Sequence, residues 1–323
     1  MMIAYNFTSN IQKELHTLEQ NIKNLVTAQN PILYAAAEHL FKAGGKRLRP
    51  SIVLLVAKAT AKEGKILASQ KRLAEITEII HTASLLHDDV VDNCSTRRGI
   101  KTVNNQFNNR VAILAGDFLF AQSSWYLANL KQVEVVKIIS KVITDFAEGE
   151  VRQSINLFNL NVTINEYIEK SFYKTASLIA ASCQGAAMLA INNSKIACKL
   201  HLYGKHLGVA FQIIDDILDI TSSAIILGKP GEADLKNGNL TAPCLFAIAE
   251  NIKIKQIIEE EFSTLSDIDT VILMIKQSYS ILKSQDLARE HLQAALNCLK
   301  YLDNSESKKD LEYLTEYIID RLY

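Results

Sequence analysis

Proline is scarce in this 323-residue chain. Its four residues, Pro31, Pro50, Pro230 and Pro243, leave positions 51 to 229 without one. Such a stretch favours long helices over many short strands joined by turns. Glycine is sparse as well, at 12 residues, and no convincing two-residue hairpin signal stands out. Neither sign of charge is in surplus, with 35 Lys and Arg against 35 Asp and Glu. That balance excludes a broadly basic nucleic-acid binder, because neutralising phosphates takes an excess of cations. A disordered acidic chain is excluded by 48% hydrophobic against 22% charged residues. The five cysteines, Cys94, Cys183, Cys198, Cys244 and Cys298, lie far apart, with no C-x-x-C and no Cys/His spacing suited to zinc. They read as buried thiols in a reducing compartment. The opening MMIAYNFTSN has no basic n-region and too short an apolar run for a signal peptide. One uncharged stretch, residues 175–194, reaches membrane-spanning length, but it is rich in small residues and holds Ser177, Ser182, Gln184, Asn192 and Asn193. It reads as a helix buried in a large helical core, and a soluble, cytoplasmic protein without a membrane span is the expectation.

What is present is a succession of helix signals. Ser9 with Gln12 resembles a capping box opening an amphipathic helix to about residue 28. Asn30-Pro31 reads as the N-cap and first turn of a second helix that ends at Gly44-Gly45. Pro50 opens a third, and further helices are expected from about Lys71 through HTASLLHDDVVD, over 109–130 and over 133–158. Thr163 with Glu166 forms a second capping-box pattern before EYIEKSFYKTASLIAASCQGAAMLA, and KLHLYGKHLGVAFQIIDDILDI reads as one more core helix. Residues 221–239, with Gly228, Pro230, Gly231 and Gly238, form the longest loop-like region. The expected architecture is all-α, in a single domain over 1–323.

Two segments share a shape. His87-Asp88-Asp89-Val90-Val91-Asp92 and Ile214-Asp215-Asp216-Ile217-Leu218-Asp219 are both D-D-x-x-D with apolar filler. On a helix Asp88 and Asp92 stand at i and i+4 on one face, and Asp215 and Asp219 repeat the arrangement. Like charges at that spacing cost an isolated helix roughly 0.2–0.5 kcal/mol a pair. The apolar neighbours argue against a solvated acidic face, so the carboxylates must point into a polar cavity. Several such carboxylates need cations, and hard oxygen ligands with no His or Cys among them suit magnesium, which bridges carboxylates to phosphates.

Basic partners for phosphate sit at breaks between helices. Gly44-Gly45-Lys46-Arg47-Leu48-Arg49-Pro50 puts three cations on a glycine-opened turn, which is not a P-loop because G-x-x-x-x-G-K-[ST] is absent. Arg97-Arg98 follows the first acidic cluster, Lys174 opens a core helix, and Lys229 lies in the Gly/Pro loop. His87-Asp88 also fits the doublet of a metal phosphohydrolase, but that reading leaves the second D-D-x-x-D without a role. His87 reads as a core or supporting group, and His81 is open between phosphate binding and structure.

At these residues the chain resembles the trans-isoprenyl diphosphate synthases, or polyprenyl synthetases, and among them the bacterial octaprenyl-type members. The resemblance runs through GGKRLRP, HTASLLHDDVVDNCSTRRG, Gly116-Asp117, YKTASL, GVAFQIIDDILD and LGKP…DL. It implies an all-α homodimer, each chain a helical bundle around a deep central cavity, adding isopentenyl diphosphate head to tail onto an allylic diphosphate such as farnesyl diphosphate. By carry-over, Asp88, Asp89 and Asp92, with Asp215, Asp216 and Asp219 from the second motif, would hold three magnesium ions against the allylic diphosphate. Lys46, Arg49, His81 and Arg98 match the isopentenyl diphosphate site. Arg97, Lys174 and Lys229 match allylic diphosphate contacts, and Thr175 and Gln212 match groups facing the developing cation. No side-chain general base is implied, since the departing pyrophosphate takes the proton. The family's loop usually reads GKPxGxDLxxGKxTLP, whereas here Glu232 stands for a glycine, Asn239 for a lysine and Ala242 for a leucine.

Ala83 and Ser84 lie five and four residues before Asp88, one turn lower on the same face, and both are small. In the family bulky aromatics at this level give short products, so a long-chain product is expected, as for a ubiquinone side chain. Trp125 or Tyr126 are candidates for a deeper floor. The alternatives are a farnesyl- or geranylgeranyl-type synthase, a terpene cyclase or squalene-type enzyme on the same scaffold, and a non-catalytic subunit. Two intact acidic motifs argue against the last two.

Overall fold

Long apolar-periodic runs with few breakers leave a chain little but helix to form. The computed structural model describes residues 7–42, 44–61, 64–191, 193–222, 232–262 and 264–321. A 3-10 turn at Ser9–Ile11 leads into α1 (Gln12–Leu25), then α2 (Pro31–Lys42), α3 (Leu48–Thr60) and α4 (Ala68–Val91). A short ribbon follows, β1 (Thr96–Arg97) and β2 (Ile100–Lys101), then α5 (Val103–Gln106), α6 (Asn109–Ala128) and α7 (Val133–Ile155). Next, α8 (Ile164–Ser171) passes through a π-helical turn at Phe172–Ala176 into α9 (Ser177–Ala190), and α10 (Ser194–Thr221) carries the second acidic motif. The remainder is α11 (Ala233–Lys236), α12 (Ala242–Glu250), α13 (Ile252–Glu259), α14 (Leu265–Gln277), α15 (Ser280–Leu299) and α16 (Glu306–Asp320). The all-α expectation holds.

Several local expectations hold for their stated reasons. The Asn30 carboxamide oxygen accepts the backbone N–H groups of Ile32 and Leu33 at 3.0 and 3.2 Å. At α8, Thr163 Oγ1 accepts from the Glu166 N–H at 3.2 Å while Glu166 accepts from the Thr163 N–H at 2.8 Å, a reciprocal cap. Three expectations need correcting. No box forms at Ser9, because Ser9 lies inside a 3-10 turn and the α-helix that follows has Ile11 at its N-cap, with no side-chain cap bond. The run from 164 to 190 is not one uniform helix, since the π turn interrupts it where hydrophobic periodicity gives no sign. A two-residue hairpin does exist: Thr96 pairs with Lys101 and Arg97 with Ile100, around Arg98 (φ 52°) and Gly99 (φ 77°). Two successive positive φ values make the type I′ turn that suits ribbon twist, here built on Arg-Gly rather than the usual Asn-Gly.

The chain divides into two compact units. One comprises Met1–Val142, Leu178–His201 and Leu299–Leu314, the other Ile143–Ser177, Leu202–Cys298 and Thr315–Tyr323. In the first, α4 packs against α3 and α6, and Ile76, Ile79, Ile80, Ala83 and Leu86 of α4 are fully buried. Each large aliphatic side chain so buried contributes on the order of 2 kcal/mol. Polar groups in this core are paired. The Gln70 amide donates to the Ala186 carbonyl at 2.8 Å and accepts from the Leu67 N–H at 3.0 Å, and Thr77 bonds Ser182 at 2.9 Å. The second unit is centred on the apolar face of α10, where Leu207, Val209, Ala210, Ile213, Ile214 and Ile217 are buried. The segment read as a buried core helix is that: Leu178, Ala180, Cys183, Ala186 and Ala187 of α9 are all buried. Among the described residues, the helix long and apolar enough to span a membrane is α6 instead, with 33% of its window buried.

Close approach of α4 and α6 depends on Gly116. A Cβ there would lie 2.3 Å from His87 Nε2 and 2.4 Å from its Cδ2. The ring cannot step aside easily, because Nε2 is also 3.1 Å from the Ile113 carbonyl and the ring stands edge-on to Phe120. On helix propensity alone, Gly→Ala gains about 1 kcal/mol. Gly116→Ala is expected to do the reverse, lowering stability in urea unfolding by about 1–3 kcal/mol, the usual cost of overpacking. A stabilised variant would mean that the α4–α6 contact is not tight.

Candidate active site

The first acidic motif ends α4. Asp92 caps the helix, its N–H donating to the Asp88 carbonyl at 2.8 Å, so Asp88 and Asp92 share one face, Asp88 half-buried and Asp92 exposed. Asp89 points elsewhere and is 1% exposed. Arg97, delivered by β1, donates from Nε to Asp89 Oδ1 at 2.7 Å. Burial raises the Asp89 pKa, and the Arg97 guanidinium pulls it back down. Oδ2 of Asp89 is buried with no hydrogen-bond partner.

The turn from α4 into the ribbon is held by the residues that follow it. The Cys94 N–H donates to the Asp89 carbonyl at 2.9 Å, and the Thr102 hydroxyl and Asn104 amide donate to the Cys94 carbonyl at 2.7 and 3.3 Å. Arg98 in turn donates to the Gly44 carbonyl, and a Cβ at Gly45 (φ 153°) would meet its guanidinium at 2.8 Å. Gly45 thus leaves the room that the Arg98 guanidinium occupies. Of the turn's three cations, Arg47 is a structural piece, paired with Glu78 at 2.6 Å and donating to the Phe41 carbonyl. Lys46 is exposed. Arg49 donates to His81 Nε2 at 3.0 Å, which leaves the His81 proton on Nδ1. Burial and then the charges of Arg49, Arg98, Arg97 and Arg47 hold His81 well below the usual imidazole range, so it is neutral at pH 7. Arg49, His81 and Arg98 thus belong to one cationic group, with Lys46 on the same turn as Arg49.

Below the motif, Ala83 is fully buried and Ser84 donates its hydroxyl to the His81 carbonyl at 2.9 Å. The two floor candidates on α6 are held differently. Trp125 is 61% exposed, and Tyr126 turns its hydroxyl to the Leu25 carbonyl at 3.1 Å.

The second unit assembles its own set. Asp216, 3% exposed, accepts from the Tyr167 hydroxyl at 2.6 Å and from the Gln212 amide at 2.8 Å. Thr175 donates to Gln212 Oε1 at 2.6 Å, so Thr175, Gln212, Asp216 and Tyr167 form one chain of bonds. Burial, and then the Asp234 charge, push the Asp216 pKa up to about 7 against the pull of Tyr167, Lys170 and Gln212. Asp215 pairs with Arg321 at 2.7 Å, whose guanidinium lies 4.6 Å above the Phe211 ring. Asp219 is 2% exposed, and its carbonyl accepts the Glu232 N–H at 3.2 Å. Lys174 and Thr175 both sit in the π turn. Lys174 bonds Glu150 at 2.7 Å and Gln153 at 3.0 Å. A Cβ at Gly149 would come within 2.9 Å of Lys174 Cγ, so a side chain there would collide with the lysine.

These groups fit a divalent cation bound through oxygen. A buried carboxylate oxygen without a partner at Asp89, and a carboxyl at Asp216 raised toward neutrality by burial, are both sites where arriving positive charge is favourable. Among the described residues no three acidic, imidazole or thiolate groups converge into a closed cage. Magnesium binds through carboxylate oxygens together with waters and substrate phosphate. Lys229 lies outside the described residues. Tyr167, Lys170, Asn104 and Arg321 escaped the sequence reading, because aromatic and basic residues at helical spacing look like ordinary core and surface.

The polyprenyl synthetase family model matches residues 30–275, with residues from both units. The chain is 61% identical over 312 residues to a prenyl transferase of Porphyra purpurea, covering 97% of each. It is 48% identical to solanesyl-diphosphate synthase 2, chloroplastic, of Oryza sativa subsp. japonica, covering 97% of this chain and 78% of that protein. The fold matches the crystal structure of a polyprenyl synthase from Caulobacter crescentus CB15 complexed with calcium and isoprenyl diphosphate, with a TM-score of 0.91, 31% identity and coverage of 98% and 97%. With both acidic motifs and their cationic and hydroxyl partners in place, the chain belongs to the polyprenyl synthetase family and is a prenyltransferase.

Proposed function

We propose that this protein is a long-chain trans-polyprenyl diphosphate synthase, condensing isopentenyl diphosphate onto an allylic diphosphate with magnesium. The observation that carries the reading is the open carboxylate face of Asp88 and Asp92 in the same unit as the Arg49–His81–Arg98 cluster. Acidic and cationic groups in one unit suit one metal-bridged and one directly bound diphosphate. Asp88, Asp89 and Asp92, and in the other unit Asp215, Asp216 and Asp219, would hold magnesium, three ions in all. When bound, that metal neutralises the charge developing on the departing diphosphate.

The chain's own residues do the rest. Lys46, Arg49, His81 and Arg98 bind the isopentenyl diphosphate. His81, kept neutral by burial and by its arginine neighbours, donates a hydrogen bond from Nδ1 without giving up a proton. Arg97 in the first unit and, separately, Lys174 and Lys229 are the cations matched to the allylic diphosphate. Thr175 and Gln212 present neutral oxygen dipoles to the allylic carbons, which stabilise positive charge without acting as nucleophiles. The calcium and isoprenyl diphosphate in the Caulobacter relative support this assignment of ligands. The rice relative's name supports a long product, of the octaprenyl-to-solanesyl class, and the small side chains of Ala83 and Ser84 below the metal site are in keeping with it. A quinone side chain is the fitting use. A second copy of this chain is the proposed partner of α6, whose Ile113, Leu114 and Trp125 are 43, 52 and 61% exposed.

Incubating the protein with magnesium, labelled isopentenyl diphosphate and farnesyl diphosphate should yield, after dephosphorylation, a ladder ending at one dominant long polyprenol. Absence of any extension by folded protein that binds both diphosphates would move the reading to a non-catalytic subunit. Asp88→Ala should lower kcat by roughly 10³-fold or more, about 4 kcal/mol of transition-state stabilisation, and near-normal turnover would remove Asp88 from the metal site. Ala83→Tyr should shorten the dominant product, because a ring one turn below the motif blocks the tail. An unchanged product profile on chromatography would displace the tunnel from this face of α4.

A further inference from the structure

Lys170 stands one turn before Lys174 on the same helical run, yet the two lysines are held very differently. Lys174 has a carboxylate, Glu150, at 2.7 Å. Lys170 pairs with no carboxylate among the described residues: Nζ donates to Asn239 Oδ1 at 2.5 Å and lies 5.5 Å from the centroid of the Tyr167 ring. The assignment of the Asn239 amide is forced. Its Nδ2 donates to Asp234 Oδ1 at 2.7 Å, and a flipped amide would turn N–H groups toward the ammonium. Asn239 therefore acts as a neutral bracket that positions a cation without cancelling it.

The cation lies beside the second acidic motif. Tyr167, whose ring Lys170 covers, donates its hydroxyl to Asp216. Lys170 and Asn239 also line a polar cavity together with Arg152, Gln153, Tyr167 and Glu166, whose carboxylate is engaged by the Thr163 N–H and hydroxyl. Burial lowers the Lys170 pKa, while the fields of Asp216 and Asp234 favour its charged form. An ammonium with only neutral partners, in a polar cavity beside metal-ligand carboxylates, is arranged to meet an anion that arrives from outside. At position 239 itself, where the family's lysine is absent, the structure has Lys170 reaching in from α8.

We propose that Lys170, bracketed by Asn239, is a binding cation for the allylic diphosphate and for the pyrophosphate it releases, supplying from α8 the charge that a lysine at 239 would supply from the loop. The inference rests on the synthase reading above and adds a substrate-binding residue to it.

The test is calorimetric titration of the full chain with inorganic pyrophosphate at saturating magnesium, alongside KM for farnesyl diphosphate. Lys170→Met should weaken pyrophosphate binding by about tenfold or more and raise KM. Lys170→Arg should stay close to wild type, and the double variant Lys170→Met/Asn239→Lys should recover most of the loss. Wild-type affinity in Lys170→Met would overturn the inference and leave the synthase reading standing. A loss as large in Lys170→Arg as in Lys170→Met, or no recovery in the double variant, would assign Lys170 to packing and overturn it too. If the wild-type protein binds no pyrophosphate, the synthase reading fails and takes this inference with it.

Discussion

Carboxylates kept out of water set the terms for what surrounds them. Asp89, Asp216 and Asp219 are 1, 3 and 2% exposed, on or at the end of helices whose other faces are aliphatic. An ionised carboxylate loses several kcal/mol of hydration in such a place, and its neighbours must return most of it. The two units do this differently. Asp89 is met by a full charge, the Arg97 guanidinium, and the Arg98-Gly99 turn gives β1 the path that brings Arg97 back to α4. Asp216 is met by neutral donors, Tyr167 and Gln212, with Lys170 acting only through its field, and its pKa accordingly stands near 7. The first solution is incomplete, since Asp89 keeps a buried oxygen without a partner. A fold that leaves carboxylates in this condition is stabilised by any cation that binds them, which is linkage between metal and fold.

Much of this could be read from residue order because it depends on local pattern. The two D-D-x-x-D runs, the Asn30 and Thr163 caps and the helical periodicity each need only residues within a few positions of one another. Features that depend on distant partners could not be read that way. Arg47 and Arg49 look alike in GGKRLRP, but Glu78, 31 positions away, takes Arg47 for structure and His81 takes Arg49 for the site. Tyr167 looks like one more buried aromatic until Asp216 is found against its hydroxyl. The Arg-Gly hairpin carries no local signal, because arginine in a left-handed conformation costs roughly 1 kcal/mol and is not a usual turn residue. That position is tolerated here because the Gly44 carbonyl binds the Arg98 side chain.

The departures from the family loop have physical readings too. Glu232 sits at φ 66°, a conformation that explains why glycine is usual there. It is retained because its N–H reaches the Asp219 carbonyl at 3.2 Å and its carboxylate reaches Lys236 at 3.1 Å, so two bonds offset the strain. Ala242 is fully buried at the start of α12, directly before Pro243, where a larger side chain would need space the packing does not leave. Asn239 is not a simple loss either, because a carboxamide can bond an acid and an ammonium at once, which a lysine cannot.

The π turn shows why an irregularity belongs where it does. On a regular α-helix, consecutive side chains point about 100° apart and each repeats every 3.6 residues. At Phe172–Ala176 an inserted residue widens the helix, and adjacent Lys174 and Thr175 reach different neighbours: Glu150 and Gln153 on α7, and Gln212 on α10. The wider turn needs room, which Gly149 provides by presenting no Cβ to Lys174. The result is a cation on one side and a neutral hydroxyl–amide–carboxyl chain on the other, from two residues in succession. A regular helix already turns successive side chains about 100° apart; the inserted residue changes that angle, and the π turn lets Lys174 reach α7 while Thr175 reaches α10 from one short segment.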